Sequence, residues 1–310
     1  MKLITVLTPC LNEEENVRPL VEEVRTIFAR MPGYRYEHVF IDNASTDRTL
    51  AVLREVAAAD RCVKVIVNRR NFGHIRSPHH GLLQAKGDAV IVMAADFQDP
   101  PALIHEFLEL WEQGNKVVLG VKTTSDESGL MSSLRHFYYW LLTRISDVEI
   151  VQNATGFGLY DRSFVDALRK LNDSYPYTRG LVSELGFVPA LVEYRQPARR
   201  RGLTKNSLLT LYDAAMTGLT THSRWPLRIA TIGGFLLSAA SLAVAVGYFV
   251  YKLLYWQRFQ PGIAPLVIGL FLSFSLQLFF LGLLGEYVAV IHTRVMNRPL
   301  VVEQERINFD

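Results

Sequence analysis

The sequence predicts an α/β domain built on a mostly parallel sheet, followed by an interfacial helix and two transmembrane helices. Three observations carry that expectation. In the first third of the chain, short apolar runs alternate with amphipathic stretches, the pattern of strands joined by crossover helices. Further on, the stretches 229–254 and 265–291 are long and nearly free of charge, which suits a hydrocarbon environment. The chain of 310 residues is 49% hydrophobic and 20% charged, too apolar for an ordinary soluble enzyme and too charged for one buried wholly in lipid.

Residues 3–8 read as a buried strand ended by Pro9, and 14–30 as a helix with an apolar stripe at Val17, Leu20, Val21, Val24 and Ile27. A second strand covers 38–41. Ser45 or Thr46 then caps a helix running to about Ala59, with Asp47 in its first turn. Strands at 63–67 and 89–94 flank a helix at 77–85, and residues 150–200 complete the domain with further α/β structure. The stretch 206–221 is amphipathic, either an interfacial helix ahead of the membrane or a core helix.

Each apolar stretch is long enough to cross roughly 30 Å of hydrocarbon, and the short linker at 255–264 makes them a hairpin. Arg224, Arg228, Arg294 and Arg298 flank its outer ends, whereas the linker holds only Arg258 and the first helix end Lys252. The positive-inside rule therefore places both termini in the cytosol. Trp225, Tyr255 and Trp256 fall where interfacial aromatics belong. The expected parts are a catalytic domain at 1–205, a juxtamembrane helix at 206–228, the hairpin at 229–291 and a cytosolic tail at 292–310.

Net charge is only +3, so there is no global footprint for nucleic acid. The two cysteines, Cys10 and Cys62, form no disulfide framework and fit a reduced compartment. The opening run is short and β-rich, unlike a signal peptide.

In a parallel sheet ligands bind beyond the carboxyl ends of the strands, so the loops after Thr8, Ile41 and Ala94 are expected to share one site. The first, Pro9-Cys10-Leu11-Asn12-Glu13-Glu14, offers Asn12 and Glu13 to a base or ribose, or charge to a helix N-terminus. In the second, Asp42 can accept from the ring N–H of uracil or guanine. In the third, Asp96 and Gln98 supply hard oxygen ligands for Mg²⁺ or Mn²⁺ bridging to a diphosphate, while Asp99 before Pro100-Pro101 reads as a turn and cap residue.

These motifs resemble family 2 glycosyltransferases of the GT-A (Rossmann-like) fold, in particular the polyprenyl-phosphate branch that includes dolichol-phosphate mannose synthase. Pro-x-x-Asn-Glu-Glu at 9–14, Asp-x-x-Ser-x-Asp at 42–47, Asp-x-Gln-x-Pro-Pro at 96–101 and the trailing hairpin occur in the family's order. The resemblance implies a nucleotide-sugar site at Pro9, Asn12, Glu13, Asp42, Ala95, Asp96 and Lys122, and a metal at Asp96 and Gln98. It implies lipid-phosphate contacts at Arg199 and Lys205, which with Asp96 form the catalytic set. The implied reaction is inverting sugar transfer to a polyprenyl phosphate at the cytosolic face of a bacterial inner membrane, by an enzyme whose relatives suggest a homo-oligomer.

The chain departs from that pattern at Ala94, where relatives carry an aspartate, and at Gly156 and Gly158, where they carry an aspartate base and an arginine. Lys122 replaces an arginine, losing a bidentate phosphate grip. Glu184 and Asp161 are candidate replacement carboxylates. Asn71-Phe72-Gly73 stands where relatives have an Asn-x-Gly loop beside the nucleotide, and the neighbouring His74, His79 and His80 read as loop polarity rather than a zinc site. The rival readings are a transferase extending another lipid-linked acceptor, and a catalytically silent homologue acting as a membrane scaffold.

Overall fold

The computed structural model describes residues 1–123, 151, 153–171, 176, 178–197, 225–255, 263–296 and 298–309. They fall into two units, a sheet domain that includes the residues from 293 onward and a unit containing most of the two long apolar helices.

The sheet domain alternates β1 (Lys2–Cys10), α1 (Val17–Ala29), β2 (Tyr34–Asp42), α2 (Thr49–Ala59), β3 (Val63–Asn68), α3 (Gly73–Gln84) and β4 (Ala89–Val92). It continues through α4 (Ile104–Glu112), β5 (Val117–Lys122), β6 (Ala154–Asp161), α5 (Arg162–Leu171), α6 (Thr178–Glu184) and β7 (Ala190–Tyr194), and β8 (Glu303–Ile307) follows the apolar helices. The eight strands form one sheet in the order β7-β5-β6-β4-β1-β2-β3-β8. Its centre, β4-β1-β2-β3, is parallel, as is β5 with β7, while β6 and β8 run antiparallel to their neighbours. A single sheet with mostly parallel pairs is what the alternation of patterns requires.

Side chains alternate across the strands, so each face carries its own core. Ile4, Val6, Phe40 and Val65 pack with Val17, Leu20 and Val24 of α1, Leu53 of α2 and Phe107 of α4. Leu7, Val39, Ile41 and Ile66 pack on the other face with Leu82 of α3, Phe164 and Leu168 of α5 and Leu181 of α6.

Several boundaries differ from expectation for identifiable reasons. β1 runs through Pro9, opposite Ile41, to Cys10. Leu7 points its carbonyl at Met93 on the β4 side and Cys10 points its own at Asn43 on the β2 side, so the missing Pro9 N–H falls where β4 has already ended and costs no ladder bond. α3 begins at Gly73 rather than Ser77. The left-handed φ of +86° at Gly73 makes the turn, and Asn71 Oδ1 accepts the Gly73 N–H at 2.7 Å. The expected tail at 292–310 is not a free extension, because β8 adds to the open edge of β3 with Val65 opposite Ile307.

In the second unit, α7 (Trp225–Leu254) and α8 (Ile263–Val295) contain apolar windows at Thr231–Tyr251 and Gly269–His292. At 1.5 Å per residue these span roughly 32 and 36 Å, enough to cross a bilayer. The expected helix at 206–221 lies outside the described residues.

Candidate active site

The turns after β1, β2 and β4 lie along one edge because these strands are parallel neighbours. Each turn carries a non-glycine residue in the left-handed region, Asn12 at φ 59°, Ala44 at φ 62° and Phe97 at φ 61°. Such residues cost roughly 1–3 kcal/mol each and persist where surrounding bonds over-determine them.

The first two turns are laced together. The Asn12 N–H donates to Ser45 Oγ at 3.0 Å, and Asn12 Oδ1 accepts the Thr46 N–H at 2.8 Å. The Glu13 N–H donates to Thr49 Oγ1 at 2.8 Å, while the Glu13 carboxylate accepts from Asn16 Nδ2 at 2.6 Å. Glu14 Oε2 accepts the Arg48 N–H at 2.8 Å. Glu13 and Glu14 therefore shape the turn, and the idea that they open the helix is corrected: α1 starts at Val17 with no acidic residue in its first turn. Pro9 is half-buried at the end of β1.

Asp42 is fully buried and accepts from Ser45 Oγ at 2.5 Å. Burial pushes its carboxyl above the ordinary range, opposed by the Ser45 bonds. Ser45 is thus engaged by Asp42 and does not cap α2, which begins at Thr49 with Asp47 ahead of it. Next to it, Asn43 binds four partners. Its amide donates to Asn71 Oδ1 at 2.9 Å and to the Gly73 carbonyl at 3.2 Å, and its oxygen accepts from Asn68 Nδ2 at 3.1 Å and the Phe72 N–H at 2.9 Å. The Asn71-Phe72-Gly73 loop is held against the Asp42 turn by this one side chain, which sequence reasoning did not single out.

In the third turn Asp96 is 7% exposed and accepts the Gln98 N–H at 3.1 Å. Gln98 is half-buried, and the Ala95 side chain packs into the core. Asp99 closes the turn but caps no helix, since the helical turn that follows has Pro100 at its N-cap without a side-chain bond; it accepts the Ala94 N–H at 2.9 Å and the Tyr194 hydroxyl at 3.1 Å. Burial raises the Asp99 carboxyl, as does the Asp96 charge, while Lys122 opposes the rise. Lys122 ends β5 opposite Tyr194 of β7. Tyr194 is a second residue that no motif singled out.

Gly156 has φ +94°, and a Cβ built on it would meet nothing within 4 Å. It lies two residues from Gly158, which pairs with Val92 at the carboxyl end of β4, so it belongs to the same edge as the Asp96 turn. Gly158 differs. A Cβ there would meet the Val118 carbonyl oxygen at 2.3 Å, so glycine is required by close strand approach. Asp161 is corrected as a replacement carboxylate, since it pairs with Ala89 at the opposite end of β4 and binds Trp111 Nε1 at 2.7 Å. Glu184 is exposed on the last turn of α6. Arg199 and Lys205 lie outside the described residues.

Among the described residues no cluster of three or more His, Cys, Asp or Glu forms a metal cage. His79 lies beside Thr178 at 3.4 Å and His80 beside Glu303 at 2.5 Å. Asp96, with Gln98 beside it, offers one hard carboxylate of the kind a divalent ion takes.

An α/β domain with interlocked polar turns along one parallel edge, followed by a pair of apolar helices, defines the class. The model of the family described as Glycosyl transferase family 2 matches residues 5–169, and the chain belongs to that family and has its GT-A fold. An uncharacterized glycosyltransferase, YkcC, of Bacillus subtilis (strain 168) is 32% identical over 99% of this chain and 94% of its own length. The SfII prophage-derived bactoprenol glucosyl transferase of Shigella flexneri is 31% identical over 96% of each chain. Among solved structures, glucosyl-3-phosphoglycerate synthase from Mycobacterium tuberculosis is similar at 17% identity with a TM-score of 0.48, covering 71% of this chain and 78% of that one.

Proposed function

We propose that the protein transfers one sugar, with inversion, from a nucleotide-sugar donor to a polyprenyl phosphate at the cytosolic face of a bacterial plasma membrane. A phosphate oxygen of the lipid attacks the anomeric carbon. A new carbon–oxygen bond forms as the bond to the nucleoside diphosphate breaks, and the diphosphate leaves with the electron pair. Support for the donor side comes from Asn12, Glu13 and Asp42, three polar groups fixed in interlocked turns at one edge. Pro9 near the end of β1 and Ala95 in the Asp96 turn lie at the same edge, and Lys122 stands by the Asp96 turn.

The acceptor assignment is carried by Gly156. A sugar hydroxyl needs a base to remove its proton, and position 156 offers no side chain to do so. A prenyl phosphate, with a second pKa of about 6, is already largely dianionic at pH 7 and needs positioning more than proton removal. The bactoprenol glucosyl transferase similar over 96% of its length favours the same acceptor class. Arg199 and Lys205 are the proposed phosphate contacts. Asp96, with Gln98 beside it, would hold a Mg²⁺ or Mn²⁺ shared with the diphosphate, which supplies charge stabilisation to the leaving group.

The test is turnover by the purified protein with a panel of UDP-, GDP- and dTDP-sugars and undecaprenyl phosphate, with Mg²⁺, Mn²⁺ or EDTA. Glycolipid formation that depends on metal and falls about a hundredfold in Asp96→Ala, the scale of losing one charge-stabilising group, is the expected result. Nucleotide binding without turnover of any donor would favour the silent-homologue reading.

A further inference from the structure

We infer that the loop after β3 and the segment after α8 together form a docking surface for anionic phospholipid headgroups, separate from the acceptor phosphate. Arg69, Arg70 and Arg298 are exposed. The Arg70 guanidinium lies 4.1 Å from the centre of the half-buried Phe72 ring, and that of Arg76 lies 5.5 Å from it. Both cations thereby share one aromatic platform.

Two bonds fasten this loop to the tail. Arg76 Nη2 donates to the Pro299 carbonyl at 2.5 Å, and the Arg69 N–H donates to the Val302 carbonyl at 2.9 Å. Arg298 is therefore brought to the same patch. The carboxylate of the tail in this region, Glu303, is held by His80 and Arg306. Among the described residues no carboxylate pairs with Arg69, Arg70 or Arg298, so the patch presents like charge to its surroundings.

Chain length says what lies within reach. The apolar window of α8 closes at His292, the helix ends at Val295 and the patch begins at Arg298. Three helical residues and three more to Arg298 bridge at most roughly 15 Å. Clustered arginines just outside a membrane helix recognise an anionic leaflet, and the attraction fades within a Debye length of about 8 Å at physiological salt. Phe72, an apolar ring beside two guanidinium groups, suits the headgroup boundary. The inference rests on the membrane reading of α7 and α8 and is independent of sugar transfer.

Full-length protein carrying Cys62→Ser and His74→Cys, labelled with a fluorophore at position 74, would be reconstituted into nanodiscs of phosphatidylcholine with or without phosphatidylglycerol. The readout is quenching by a headgroup-labelled lipid. Several-fold stronger quenching in the anionic discs, weakened by high salt and lost in Arg69→Gln/Arg70→Gln but kept in Arg69→Lys/Arg70→Lys, is expected. Equal quenching in neutral discs, or persistence in the glutamine pair, would overturn the inference. So would a label that responds to UDP but not to lipid, which would assign the patch to the donor. None of these outcomes depends on finding the sugar.

Discussion

Inside the sheet, the His38 imidazole shares a 2.9 Å hydrogen bond with the Thr8 hydroxyl and stacks on Phe40 with ring centroids 4.2 Å apart. Its Nδ1 has no partner among the described residues. Full burial lowers its pKa from 6.5 to about 3, so the folded protein keeps the ring neutral where the unfolded chain takes up a proton. Between these values the unfolded state binds more protons, and stability falls as the pH drops. The expected loss is on the order of 4 kcal/mol by pH 3, measured by denaturant unfolding at stepped pH. His38→Gln should flatten that dependence below pH 6.5, and an unchanged slope would assign acid sensitivity to other groups. Asp42 has the opposite sign. Its carboxyl is raised by burial, so its ionisation costs folding stability above the ordinary carboxylate range, a cost borne at the position proposed to receive the nucleobase.

At the scale of elements, β8 is the feature that the sequence hid best. Its burial alternates between half-buried and exposed, because an edge strand covers a neighbour's backbone rather than a core, so no apolar period announces it. It is nonetheless firmly bound. Asn308 Nδ2 reaches the Ala57 and Val63 carbonyls at 2.7 and 2.8 Å, and Arg54 pairs with Glu305 at 2.6 Å. Truncation after Val302 should therefore destabilise the sheet domain by on the order of 3 kcal/mol, a few hydrogen bonds of about 1 kcal/mol each, read as a lowered thermal midpoint. A midpoint equal to that of the full chain would make the tail an ornament. The central strands and α1 were legible because buried faces impose their periods on the sequence. The site was legible in part: Asp42 and Asp96 end strands that the pattern reveals, while Asn43 and Tyr194 act through partners distant in sequence. Cap chemistry misled at Ser45, since a hydroxyl near a helix start can serve a carboxylate instead of the helix.

The pairing of β8 with β3 constrains the whole molecule. β3 precedes the two apolar helices in the chain and β8 follows them, yet the two strands exchange backbone hydrogen bonds in one sheet. A sheet cannot be divided by a bilayer, so any membrane crossings between β7 and β8 must be even in number. On the proposed reading, in which both long helices cross, the linker between them would face the side opposite the sheet. The arginines at 294 and 298 favour the cytosol for the sheet side. In a Cys62→Ser background, where the remaining Cys10 is buried, Arg258→Cys should react in intact cells with a maleimide that cannot cross the inner membrane. Gln304→Cys, on β8, should react only after that membrane is opened. Labelling of Gln304→Cys from outside, with Arg258→Cys protected until lysis, would invert the proposed orientation. Protection of both positions until lysis would mean that the helices do not cross, and the basic surface beside Phe72 would then have no leaflet within its reach.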